Sequence, residues 1–173
     1  MTGRNRTFSS IFRISLVSAL IGLSVAGAMV KIPSPVGTVA LDSFPGYLAS
    51  LLLGYVEGCI VIAFGHIATA FTAGFPLGIP VHLTIAAGMA VCALTLRFFY
   101  RRNKIAGIVA ATVVNGIALL YVVSVAFGYG MGFFISMIVP LTFASAVNVL
   151  IAAGVYEGVV KALGTSGVGE QGK

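Results

Sequence analysis

The chain has 173 residues, of which 59% are hydrophobic and only 8% charged, with a formal net charge of +6. A soluble domain carries about 25% charged residues, so a mean hydropathy of +1.10 excludes a water-covered globular surface and makes lipid the solvent. In such a chain the basic excess orients the protein in a membrane rather than binding nucleic acid, and the length suits one membrane domain.

Apolar runs follow one another between breakers. The first extends from about Phe12 to Val30 and reads as a retained helix rather than a cleaved signal. A rigid polar segment, Lys31–Ser43, follows; with the next three residues it reads "KIPSPVGTVALDSFPG" and holds Asp42, one of only four acids. A second run, Phe44–Leu53, is too short to span a bilayer and predicts a half-deep or re-entrant helix buried by its neighbours. The third goes from about Val56 to Phe71 and ends in "TAGFPLGIP"; the fourth goes from Pro80 to Phe99 and ends in "YRRNK". The fifth covers Ile105–Phe127 and ends in "GYGMG"; the sixth covers Phe133–Leu163, where Pro140 predicts a kink or a late start. The long runs are near the roughly 20 residues that cross a bilayer core. The predicted fold is an all-α membrane protein: a bundle of six transmembrane helices with a short second helix and structured outer loops. Residues 1–163 form the single domain and 164–173 a flexible cytoplasmic tail.

Six passes put both termini on one side. Arg4, Arg6, Arg13, Arg97, Arg101, Arg102, Lys104, Lys161 and Lys173 then share that side, and Lys31 alone lies opposite. This asymmetry predicts cytoplasmic termini in a multi-pass cell-membrane protein. The segment around Asp42, "AGFPLGIPVH" and "FGYGMGF" are then the outer connections, rich in Gly, Pro and aromatics.

Polar residues at membrane depth face the protein interior. His66, His82, Asn115 and Asn148 lie on four different runs and predict a shared cavity, with Tyr121, Ser124 and Tyr129 towards its mouth; helix-to-helix hydrogen bonding is the plainer role for each. His66 and Thr69 share a helix face. Asp42 or Ser43 can cap the second helix, with Pro45 in its first turn, and the Asp42 carboxylate can also accept hydrogen bonds from a ligand. Glu157 pairs with Lys161 at i,i+4, and Glu57 is interfacial or ion-paired. Cys59 and Cys92 sit in apolar runs and read as buried small side chains. No metal-ligand spacing, Walker motif or nucleophile–base pair is present, so no cofactor or metal is predicted. Small residues Ser18, Gly22 and Ala26 form a stripe on the first helix that allows close approach, within the bundle or by a separate membrane subunit.

The stretch "AMVKIPSPVGTVALDSFPGYLASLLLGYVEG" with "FTAGFPLGIPVHL" resembles the substrate-binding S components of energy-coupling factor (ECF) transporters, over about Phe12–Lys161. "PSPVGTVALDS" and "GFPLGIPVHL" look most like the subgroup for alpha-ribazole, a cobalamin precursor. The resemblance implies a non-catalytic vitamin-capturing subunit that works with a transmembrane coupling protein and two cytosolic ATPases. It implies a ligand site on the outer half under the first outer loop, formed here by Ser34, Thr38, Asp42, His66, Phe75, His82, Asn115, Tyr121 and Asn148. Phe75, Tyr121 and Tyr129 would stack on rings, and Asp42, His66 and the asparagines would meet hydroxyls. Such proteins dock through A-x-x-x-A on the first helix; this chain lacks a literal match and carries Ser18, Gly22 and Ala26 instead. The alternatives are an assembly subunit without a tight ligand and an intramembrane enzyme.

Overall fold

The structure is a computed structural model that describes residues 3–34 and 37–162, with side chains described for residues 10–30 and 40–162. The tail 164–173 and the side-chain roles expected of Ser34 and Thr38 therefore lie outside the described residues.

Helix α1 spans Gly3–Gly27, α2 Phe44–Leu52, α3 Tyr55–Thr72 and α4 Ile79–Tyr100. Helix α5, Lys104–Val113, runs through a π-helical segment, Val114–Leu119, into α6, Leu120–Ala126; α7 spans Gly130–Ala162. Five stretches are long and apolar enough to cross a membrane: Ser10–Gly27, Tyr55–Thr72, Ile79–Tyr100, Lys104–Ala126 and Gly130–Ala162. The fold is helical as expected, and the structured first connection contains a short antiparallel pair, Lys31–Ser34 (β1) and Gly37–Ala40 (β2), with Lys31 opposite Ala40 and Ser34 opposite Gly37. Proline fixes φ and excludes its predecessor from helical backbone, so Pro33 favours extension here. Of the kink or late start expected at Pro140, the late start does not occur: α7 runs through the proline.

Helix α2 is the centre of the bundle. Every residue from Pro45 to Leu51 is buried, and α2 packs against α1, α3, α4 and α7. Tyr47, Leu48 and Leu51 join Val61, Ile62, Cys92, Leu96 and Val149 in one apolar core. A short helix inside a membrane protein still has orphan backbone groups at both ends. Neither Asp42 nor Ser43 caps it with a side chain. Asn148 of α7 does so instead: its Oδ1 accepts from the Ser43 N–H at 3.1 Å and the Phe44 N–H at 2.8 Å. At the far end Arg97, in the last turn of α4, is buried and donates to the Ser50 and Leu51 carbonyls.

Most other charged side chains among the described residues lie at that far end. Arg13 bonds Glu57, while Glu157 pairs with Lys104 at 2.8 Å and accepts from the Tyr100 hydroxyl at 2.8 Å, in place of the expected Lys161. On α1, Ser18, Gly22 and Ala26 are exposed, and a Cβ added at Gly22 would meet nothing within 4 Å. The stripe is therefore not used inside the bundle.

Candidate ligand-binding site

A cavity of about 210 Å³ opens in the half of the bundle nearest the β-hairpin. Its polar wall is built by Asp42, Ser43, His66, Thr69, His82, Asn115, Ser145 and Asn148, and its apolar wall by residues such as Ile85, Met89, Leu119, Met137 and Leu141. Of the residues expected at a site, Asp42, His66, His82, Asn115 and Asn148 meet here.

His66 and Thr69 come from the last turns of α3, one turn apart on a face. His82 comes from the first turn of α4. Between them the chain reverses through a Schellman motif: the Gly74 N–H bonds the Phe71 carbonyl at 3.1 Å, and the Phe75 N–H bonds Ala70 at 2.8 Å. Gly74 takes the left-handed conformation at φ 76°, and Phe75 follows at φ 49°. A non-glycine residue there is uncommon and costs of order 1–3 kcal/mol. It sets the Phe75 ring edge-on to His82 at 5.7 Å between centroids, so Phe75 backs the site rather than lining it.

The histidines touch: His66 Nε2 lies 3.2 Å from His82 Nδ1. His66 Nδ1 lies 3.9 Å from Asp42 Oδ2, and the Ser43 hydroxyl donates to Asp42 Oδ1 at 3.0 Å. Burial pushes the Asp42 carboxyl up from 3.8 to about 6, with the Ser43 bond pulling weakly the other way. Of the buried polar atoms on lining residues, His82 Nε2 has no hydrogen-bond partner, while the Thr69 hydroxyl faces the Asp42 carboxyl and favours its anion. Unpaired buried polar atoms are unusual in native proteins and call for a water or a ligand.

The two asparagines are largely occupied with structure. Asn115 Nδ2 donates to Ser145 Oγ at 3.2 Å. Asn148, besides capping α2, donates to the Ala40 and Ala144 carbonyls at 3.3 and 2.9 Å. It fastens the Asp42 segment to α7 and so fixes where the carboxyl stands.

Tyr121 is not at the cavity: it is half exposed and packs edge-on against Phe134. Ser124 is buried and donates to the Leu120 carbonyl, and the Tyr129 hydroxyl donates to the Leu77 carbonyl at 3.2 Å. The π-helical segment explains the altered lining. In a regular α-helix the face of Asn115 continues to positions 119, 122 and 126. Here Leu119, Leu120 and Val123 line the cavity while Val122 points out. One extra residue in the turn shifts the lining by about 100°. The turn is held where Gly116 meets α7, and Thr142 Oγ1 donates to the Gly116 carbonyl at 3.3 Å. A Cβ at Gly116 would stand 2.6 Å from Thr142 Cα. The apolar lining, the π turn and the capping role of Asn148 were not anticipated from the sequence.

A solved structure described as the S component of a bacterial ECF transporter superposes with a TM-score of 0.61, over 90% of this chain and 96% of that one, at 19% identity. This chain has an S-component fold. No protein-family model and no curated protein matches it. Within that fold the cavity lies under the β-hairpin and is walled by α3, α4, the π turn, α6 and α7.

Proposed function

We propose that this chain is the substrate-binding membrane subunit of an ECF-type uptake transporter, and that its cargo is alpha-ribazole or a related cobalamin precursor. The observation that carries the reading is the cavity beneath the hairpin, with an apolar wall facing a cluster of Asp42, His66, Thr69 and His82. Such a pocket, apolar with a few convergent polar groups, suits a small ligand. A flat ring system would lie against Ile85, Met89 and Met137, and hydroxyls would meet Asp42 and Thr69. The concentration of basic residues at the opposite end supports an outward-facing cavity with cytoplasmic termini.

The exposed Ser18–Gly22–Ala26 stripe is the proposed face for a transmembrane coupling protein, which two ATPases would energise. Small side chains let two backbones approach closely in lipid. Ligand capture without chemistry is the role assigned to the chain itself. Calorimetric titration of the detergent-purified chain with alpha-ribazole tests the proposal. Binding at one molecule per chain, with no binding of unrelated vitamins, is expected; no heat with alpha-ribazole but saturable binding of another vitamin would replace the cargo and keep the role.

A further inference from the structure

Asp42, His66 and His82, three residues that line the cavity, form a line that ends on a buried, unpartnered nitrogen. The middle link, His66 Nε2 to His82 Nδ1, is a hydrogen bond at 3.2 Å and needs one nitrogen to donate and the other to accept. The first link, His66 Nδ1 to Asp42 Oδ2, stands at 3.9 Å and closes to hydrogen-bond length with a side-chain shift of about 1 Å. The last atom, His82 Nε2, is buried and has no partner.

We propose that these three side chains are a proton relay, in which the protonation of Asp42 decides whether His82 Nε2 offers the ligand a donor or an acceptor. With Asp42 protonated, its O–H donates to His66 Nδ1, His66 Nε2–H donates to His82 Nδ1, and His82 carries its proton on Nε2. With Asp42 ionised, His66 carries its proton on Nδ1 and donates to the carboxylate. His66 Nε2 then accepts from His82 Nδ1–H, and His82 Nε2 presents a lone pair. The two states differ by one proton. Asp42 passes its proton to His66 Nδ1, His66 passes the one on Nε2 to His82 Nδ1, and His82 Nε2 gives one up to a water or a ligand acceptor. Both rings stay neutral before and after.

The surroundings suit this device. Asp42 is buried and titrates near neutrality, at about 6, because burial disfavours the anion. The groups that face it are Ser43 just before α2, Tyr47 from α2, His66 and Thr69 from α3, and Asn148 from α7. Among the described residues no Lys, Arg or Glu lines the cavity. Resting on the capture reading above, the relay narrows the ligand class. At a pH where Asp42 is ionised, the site takes a neutral or cationic molecule that brings an N–H or O–H to His82 Nε2, and it rejects carboxylates and phosphates.

The test is nitrogen NMR of the ligand-free chain with labelled histidine, between pH 5 and pH 8. The expected result is a switch of both histidines from Nε2–H to Nδ1–H at one shared midpoint. Asp42→Asn should abolish the switch in both rings. Ser43→Ala, which removes a bond to the carboxylate, should move the midpoint to higher pH. His66→Phe should leave His82 without response. Independent titration of the rings, a doubly protonated ring paired with Asp42, or a switch that survives Asp42→Asn would overturn the relay. Because no ligand is present, failure here leaves the capture reading standing. Conversely, a working relay in a chain that binds no small molecule would sink the capture reading alone.

Discussion

Replacing Asp42 with asparagine should stabilise the protein at neutral pH while weakening its ligand binding. The carboxyl is buried, and its proton affinity rises from the ordinary 3.8 to about 6. The folded chain thus holds this proton more tightly than the unfolded chain does. Stability from the protonated acid is complete below pH 4 and is lost as pH climbs through 6. At 1.36 kcal/mol for each tenfold change in proton affinity, the full cost at pH 7.5 is about 3 kcal/mol. Asparagine has nearly the same shape and no charge, so Asp42→Asn removes that cost. Against this, a ligand bonded to the carboxylate loses charge-assisted hydrogen bonds of about 1.5–3 kcal/mol, roughly tenfold to hundredfold in affinity. Thermal unfolding in detergent at pH 4.5 and pH 7.5 reads the first effect and titration calorimetry reads the second. The variant should melt higher than the parent at pH 7.5, with a gain about a third as large at pH 4.5. A variant that melts lower at pH 7.5, or keeps the parent's pH dependence, would refute the buried-acid reasoning.

Asn148→Ala should lower the melting temperature markedly, because it orphans the Ser43 and Phe44 N–H groups at a cost of about 1–3 kcal/mol each; thermal unfolding checks it, and an unchanged melting point would remove the capping role. Gly22→Leu should abolish co-purification with a coupling protein and cellular uptake while ligand affinity stays within about twofold, since the side chain enters open space in the isolated chain. A cysteine at Met29, which is 82% exposed, in a Cys59→Ser, Cys92→Ser background should react with an impermeant thiol reagent applied to cells, and one at Asn103 should not; the reverse pattern would turn the cavity inward.

Element bounds were legible because a membrane helix must satisfy its backbone internally, so apolar runs and Gly/Pro breakers leave few choices. Even α2 showed itself, as a run too short to span. What was not legible depends on pairs far apart in sequence. Asn148 reads as an intramembrane polar residue from its neighbours, yet its acceptor lies against backbone 105 residues away. Glu157 has a plausible partner at i+4, but Lys104 reaches it across the bundle. The π turn at "VNGIAL" carries no signal beyond an Asn-Gly pair inside an apolar helix, and it re-aims everything after it, Tyr121 included. The histidine contact was within reach: Gly74 lies eight residues from each of His66 and His82, and residues equidistant from the turn of a helical hairpin face each other. The Asp42 segment meets them where Asn148 fastens it to α7.

The most direct test of small-molecule capture in the cavity is mass spectrometry of what the purified chain carries, beside a cavity-filling variant. Ala144 lines the cavity and is buried, so Ala144→Phe projects a ring into it. The parent should release one small neutral or cationic molecule per chain on denaturation, and the variant, still folded by its thermal transition, should release none. A parent that carries no ligand and binds none on titration, or a folded variant that carries the same molecule in the same amount, would contradict it.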